Sequence, residues 1–217
     1  MDKILGIAIH YYCNSIEAEK AFKDLMRIDL INQVNDKVLV YIYEDGQHSP
    51  WLLNTIYNSP NKKNFVVDYS IVNKGISYAR NKCLEYLKDK VDYILFIDSD
   101  DIISSNYIEE MYKACKTKKY DIVESTFIRH GVKHIYNDNE VRTCVAGSAF
   151  KSDMLGDLIF DENLQVGEDT KFFKDLVDLS KHKKYYCKDA IYYYNFGVNP
   201  NSLIMRFKRN EISKYRS

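Results

Sequence analysis

Short apolar runs alternate with segments of helical spacing along the first half of the chain. Ile4 to Ile9, Lys37 to Tyr43, Asn64 to Ser70 and Asp92 to Ile97 are β-rich or continuously apolar. That pattern is expected of strands buried in a sheet. Between them, Ser15 to Gln33 brings Ala18, Phe22, Leu25 and Ile28 near one helix face, with Asn14 or Ser15 as N-cap. Trp51 to Tyr57 reads as a short helix and Asn58 to Lys63 as a loop. Ile76 to Leu87 reads as a helix with Ala79, Cys83 and Leu87 on one face, and Asn106 to Cys115 as another. This β-α-β-α rhythm predicts an α/β fold: an open, mostly parallel central sheet flanked by helices.

The second half is less regular. Asp121 to Arg129 and Lys133 to Tyr136 read as strands about a turn at Gly131, and Arg142 to Phe150 as extended. A helix is expected over Asp169 to Leu179 and an aromatic strand over Tyr185 to Phe196. These segments predict a small second β element. No repeat, linker or low-complexity stretch interrupts the chain, which reads as one domain over 1–217.

Polar clusters follow three of the early strands: Glu44-Asp45, Asn73-Lys74 and Asp98 to Asp101. In open α/β sheets, ligands bind beyond the carboxyl ends of strands. These clusters therefore converge on one edge. The densest follows Tyr93 to Ile97, where Asp98, Asp100 and Asp101 fall within four residues. Crowded carboxylates repel one another unless a positive charge sits among them. A hard divalent cation with oxygen ligands fits, and it would bridge them to a diphosphate. The bland alternative is that one of them caps the following helix. Asn73 to Asn81 lies at a strand-to-helix junction, where helix N–H groups favour an anion. Gly75 there permits a tight turn or close ligand approach, and Arg80 lies about one turn inside.

Composition narrows the partners. The 217 residues carry 31 basic and 31 acidic side chains, so bulk charge does not favour nucleic-acid coating. Nineteen tyrosines and ten phenylalanines reflect either a biased genome or an aromatic-lined groove. Five cysteines without a C-x-x-C pair argue against a disulfide framework or zinc site and suit a reducing cytoplasm. No signal peptide and no span of membrane length is expected. His10 ends strand 1, where it either touches a ligand or sits at the core edge. His130 and His134 are read as a chance pair. Arg206, Lys208, Arg209, Lys214 and Arg216 make a basic tail. That tail is read as a solvated helix, with closure over a diphosphate or contact with an anionic membrane as the alternatives.

The order of these motifs resembles family 2 glycosyltransferases of the GT-A fold. The resemblance rests on Asn73, Gly75, Ala79, Arg80 and Asn81, then Asp98-Ser99-Asp100-Asp101, with Glu44-Asp45-Gly46 before them. Gly167-Glu168-Asp169 and Asn201-Ser202-Leu203 follow, so the likeness runs from about residue 4 to 203. It implies a nucleotide-binding half over 1–101, an acceptor half over 102–204 and the tail beyond. Asp45, or else Glu44, would contact the base, and Asn73, Gly75 and Arg80 would line the nucleotide pocket. Asp98 and Ser99 would hold the donor, Asp98 and Asp100 a metal ion, Mn2+ or Mg2+. Asp101, Glu168 and Ser202 would face donor sugar or acceptor, and Asp169 would be the catalytic base. The first strand departs from the family, with Tyr11-Tyr12-Cys13-Asn14 in place of Pro-x-Tyr-Asn, which shifts base stacking to Tyr11 or Tyr12. Gln47 also replaces the usual serine after Gly46.

The implied activity is metal-dependent, inverting transfer of a hexose from a nucleotide sugar, a UDP-sugar being commonest in the family. The acceptor would be a saccharide, a lipid-linked species, a protein or a modified base. The implied setting is the cytoplasm, with peripheral contact at the inner face of the membrane as an option. Two other readings remain: a nucleotidyltransferase of related sheet architecture, and a nucleotide-sugar-binding module without turnover. The first should carry a Gly- and Arg/Lys-rich loop after strand 1, which Tyr11 to Asn14 lacks; the second has no need of Asp169.

Overall fold

The computed structural model describes residues 3–129, 132–134, 144–176, 181–195 and 201–215. Four strands, β1 (Lys3–Tyr11), β2 (Val38–Asp45), β3 (Phe65–Ser70) and β4 (Val91–Phe96), form a wholly parallel half-sheet. Their connections are α1 (Ile16–Asp24), α2 (Pro50–Tyr57) and α3 (Ile76–Leu87). After β5 (Ile102–Ile103) and α4 (Tyr107–Lys116) come β6 (Ile122–Arg129), β7 (Val132–His134) and β8 (Ser148–Lys151). The chain ends with α5 (Ser152–Leu155), α6 (Glu168–Leu176), β9 (Lys184–Tyr194) and α7 (Leu203–Lys208).

All the described strands join one sheet, ordered β3-β2-β1-β4-β8-β6-β9-β5, with β7 paired to β6. The expected second β element is thus an extension of the first sheet. It begins where β8 adds antiparallel to β4, and β6 and β9 run parallel beyond it.

Alternation along each strand builds two core layers. On β1, Leu5, Ile7, Ile9 and Tyr11 face Phe22 of α1, Leu52 of α2 and Tyr107 of α4. Ala8 faces the other way, toward Ala79 of α3 and Phe172 of α6. With both faces covered, β2 is buried along its whole length, and its sequence is apolar from Val38 to Tyr43 before Glu44 and Asp45 close it.

The helix expected over Ser15 to Gln33 is broken in character. Ser15 caps α1 by accepting from the Ala18 N–H at 3.1 Å. A π-helix over Leu25–Leu30 then follows. Its wider turn rotates the buried face, so Leu25, Met26 and Leu30 are buried while Ile28 is 66% exposed. β5 and α5 are too short to leave a periodic trace. Of the expected second-half segments, 135–136, 142–143, 177–179 and 196 lie outside the described residues, as does His130. His134 stands in a strand.

Candidate active site

The carboxyl ends of β1, β2 and β4 open onto a cavity of about 620 Å³. It is lined by His10, Tyr12, Asp45, Asn73, Gly75, Arg80, Asp98, Ser99, Asp100, Asp101, Glu168, Asp169 and Ser202, among others. Side chains from both halves of the sequence therefore meet at one sheet edge.

At one end, β2 delivers Asp45. Its carboxylate accepts from the backbone N–H groups of Lys74 and Gly75, each at 2.7 Å. This fastens the Asn73–Gly75 loop across the strand end. Gly75 has φ +94° just before α3, a left-handed conformation that a side chain would strain. Glu44 points the other way. It is fully buried, accepts from the Ser49 N–H at 3.1 Å and does not line the cavity. The base contact read for Asp45 or Glu44 therefore has only Asp45 in position. Tyr11 is likewise withdrawn: its ring is 1% exposed, against Phe22 and Trp51. The residue after it, Tyr12, is 42% exposed and lines the cavity, because the pleat sends neighbours to opposite faces.

Arg80 forms the hub. It projects from α3, is 2% exposed and is surrounded by three carboxylates. Its guanidinium donates to Asp98 at 3.0 Å, to Glu168 at 2.8 Å and to Asp169. Its ring-face neighbour is Phe160, 5.4 Å from the guanidinium carbon. Arg80 lines the cavity while its guanidinium organises these three acids. The three carboxylates respond differently. Asp98 is buried, yet Arg80, His10 and the Arg80 hydrogen bond hold it below the usual range. Burial and the neighbouring Asp169 push Glu168 up to about 7, against the pull of Arg80. Burial first, and Asp98 after it, also raise Asp169, with Arg80 opposing. Both acids open α6, where the helix dipole favours negative charge, and Gly167 precedes them at φ +84°. His10 lies 3.8 Å from Asp98 and is lowered to about 4 by burial and Arg80, so it is neutral at physiological pH.

The acidic turn after β4 splits its roles. Asp101, 2% exposed, accepts from the Tyr192 hydroxyl at 2.6 Å and from the Asn195 N–H at 2.8 Å. Both its oxygens are thus engaged within the fold, which leaves it poorly placed for the donor-sugar or acceptor contact read from the sequence. Asp100 lines the cavity, and burial and Asp98 push its carboxyl up to about 6. An acid raised in this way gains most from a cation. Among the described residues no three His, Cys, Asp or Glu side chains are grouped to hold a metal ion. Mg2+ and related ions commonly take one or two carboxylates and complete their shell with water and substrate phosphate. Asp100, with Asp98 beside it, is a donor set of that kind. Ser202 lines the cavity with a buried hydroxyl that has no partner among the described residues, as a ligand-facing donor would.

Neither Tyr192 nor Asn195 stands out in the sequence as a site residue beyond the aromatic run. Strand alternation offered the only hint, burying Tyr192 fully while Tyr193 is 37% exposed. Arg129, Cys144, Tyr194 and Arg206 also line the cavity.

Comparison with known proteins finds a family and a shared fold. The family model for glycosyl transferase family 2 matches residues 28–146. A minor teichoic acid biosynthesis protein of Bacillus subtilis, GgaB, is 27% identical over 159 residues, 64% of this chain and 17% of GgaB. A cholesterol galactosyltransferase of Borreliella burgdorferi is 32% identical over 105 residues, 48% of this chain and 28% of that protein. The match thus spans less than a third of either relative. Its fold matches the crystal structure of S. aureus TarS 1–349 in complex with UDP at a TM-score of 0.70 and 18% identity. That match covers 88% of this chain and 60% of the other. No helix among the described residues is long and apolar enough to cross a membrane. The chain belongs to glycosyl transferase family 2.

Proposed function

We propose that the chain transfers a hexose from a UDP-sugar to an acceptor hydroxyl, with inversion at the anomeric carbon. The observation that carries this reading is the meeting of Asp100, Arg80 and Asp169 around one cavity with the Asn73–Gly75 loop. The UDP seen with a TarS chain of the same fold supports the nucleotide. The relatives' names, which refer to teichoic acid biosynthesis and to a cholesterol galactosyltransferase, support a surface glycan or a lipid as the acceptor. Five cysteines with no C-x-x-C pair suit a cytoplasmic setting.

Asp45 and the Asn73–Gly75 loop shape the base end, and Tyr12 offers a ring beside it. Asp98 and Asp100 would hold Mn2+ or Mg2+, which when bound supplies Lewis-acid stabilisation of the departing diphosphate. Ser202 donates a hydrogen bond toward the same group. The acceptor oxygen attacks the anomeric carbon opposite the leaving group. As that bond forms, the bond from the carbon to the diphosphate oxygen breaks, and its electrons leave with UDP. Asp169 takes the acceptor proton, its raised carboxyl being a better base than a surface aspartate. Arg80 holds Asp169 in place and keeps it ionised.

The test is UDP release from a panel of UDP-hexoses with Mn2+, with and without candidate acceptors. Release that rises with an acceptor is expected. No UDP binding and no release across the panel would reject the reading, and pyrophosphate release from UTP would favour nucleotidyl transfer.

A further inference from the structure

We infer that Tyr192 and Asn195, at and just beyond the end of β9, are positioning residues that set the acidic turn for metal-dependent donor binding. The inference rests on the metal-dependent reading of that turn. The Tyr192 hydroxyl sits between the ends of the turn. It accepts from the Asp98 N–H at 3.0 Å and donates to Asp101 at 2.6 Å. Asn195 makes two further bonds. Its N–H donates to Asp101 at 2.8 Å, and its side-chain amide donates to the Asp100 carbonyl at 2.9 Å. Each residue of the turn that the metal reading uses is therefore fixed from β9 or the residue after it, more than ninety positions away in the chain.

The support behind these bonds is rigid. Tyr192 is fully buried, stacked on Phe127 with ring centroids 5.7 Å apart and tilted against Tyr107 at 6.0 Å. A locked ring holds its hydroxyl to one position. Three carboxylates in four residues would otherwise spread apart by repulsion. With Asp101 engaged by Tyr192 and Asn195 and Asp98 by Arg80, Asp100 lines the cavity with no side-chain donor to its carboxylate among the described residues. Outer partners of this kind orient metal ligands, and their loss typically lowers metal affinity by about 10–100-fold.

Tyr192→Phe keeps the ring and removes the hydroxyl. Asn195→Ala removes only the bond to the Asp100 carbonyl. The measurement is UDP affinity by titration calorimetry of the full chain, with MnCl2 and with EDTA, together with bound Mn2+ counted by electron paramagnetic resonance. In Tyr192→Phe the Mn2+-dependent gain in UDP affinity should fall about 10–100-fold, with the EDTA value within about twofold of wild type. Asn195→Ala should show a smaller loss of the same kind, and it carries the test if Tyr192→Phe does not fold. Variants that fold and keep the full Mn2+-dependent gain would overturn the inference. A wild-type chain with no such gain would instead reject the metal reading itself, and the inference with it.

Discussion

A single buried arginine facing three carboxylates makes the site sensitive to one side chain. Removing a partner from such a cluster typically costs about 3–5 kcal/mol, because the remaining charges stay buried and unpaired. Arg80→Met should therefore lower stability by about that amount, read as a shift in urea midpoint. Arg80→Lys keeps the charge but not the fork that reaches Asp98, Glu168 and Asp169 together, so it should fall between. A midpoint unchanged in Arg80→Met would show that the cluster is not a structural hub. Asp169→Asn leaves Arg80 two carboxylates; it should keep UDP affinity and lose about 10²–10⁴ in turnover. Near-normal turnover would remove Asp169 as the base. Glu168 adds a pH dependence. Its carboxyl is pushed from 4.5 to about 7 by burial and Asp169, so the folded state holds a proton that the unfolded chain releases near 4.5. That contribution is complete below about 4.5 and is lost as pH rises through about 7. His10, depressed to about 4 by burial, acts in the opposite sense, so the informative quantity is a difference between two proteins. Glu168→Gln should gain on wild type in melting temperature between pH 5 and pH 8; a gap constant with pH would contradict this. The acids of this cluster were readable as a set from their motifs. Their grip on Arg80 was not, because partners 18, 88 and 89 positions apart leave no local pattern.

Elements differ in how plainly their physics is written in the chain. β1, β2 and β4 are buried on both faces, so their apolar runs announced them, and α3 matched the expected Ile76–Leu87. The π-helix was hidden because its residues keep an apolar pattern while its geometry moves Ile28 outward. β5, two residues long, exists only by pairing with β9. Turn glycines were legible as breaks, and one can be tested. Gly46 has φ +82°, and a Cβ there would lie 3.0 Å from the Asn73 Cβ. Gly46→Ala combines a left-handed backbone with a tight contact, and left-handed strain alone costs about 1–3 kcal/mol. Its second effect should be on binding, since pushing Asn73 disturbs the loop that Asp45 fastens. A variant as stable as wild type, with unaltered UDP affinity, would show that this turn has slack.

At the scale of the molecule, one sheet carries both halves of the site, and α6 and β9 bring back residues that act beside β4. A ligand spanning the cavity therefore ties early and late segments together and stabilises the whole fold. For a ligand at about 100 times its dissociation constant that gain is about 2.7 kcal/mol. In a chain of this size it corresponds to about 5–10 °C in melting temperature. The apo and liganded states make opposite demands on Asp100. Without a cation, its carboxyl is raised to about 6 by burial and by Asp98, so its charge costs stability at pH 7.5. With a cation and UDP, that same charge is needed. Asp100→Asn should therefore melt no lower than wild type when apo at pH 7.5, yet lose the part of the UDP shift that depends on Mn2+. Scanning both proteins with EDTA, with UDP alone and with UDP plus MnCl2 separates the two effects. An Asp100→Asn chain that melts well below wild type with EDTA yet keeps the Mn2+-dependent shift would mean that Asp100 stabilises the turn and another group meets the metal.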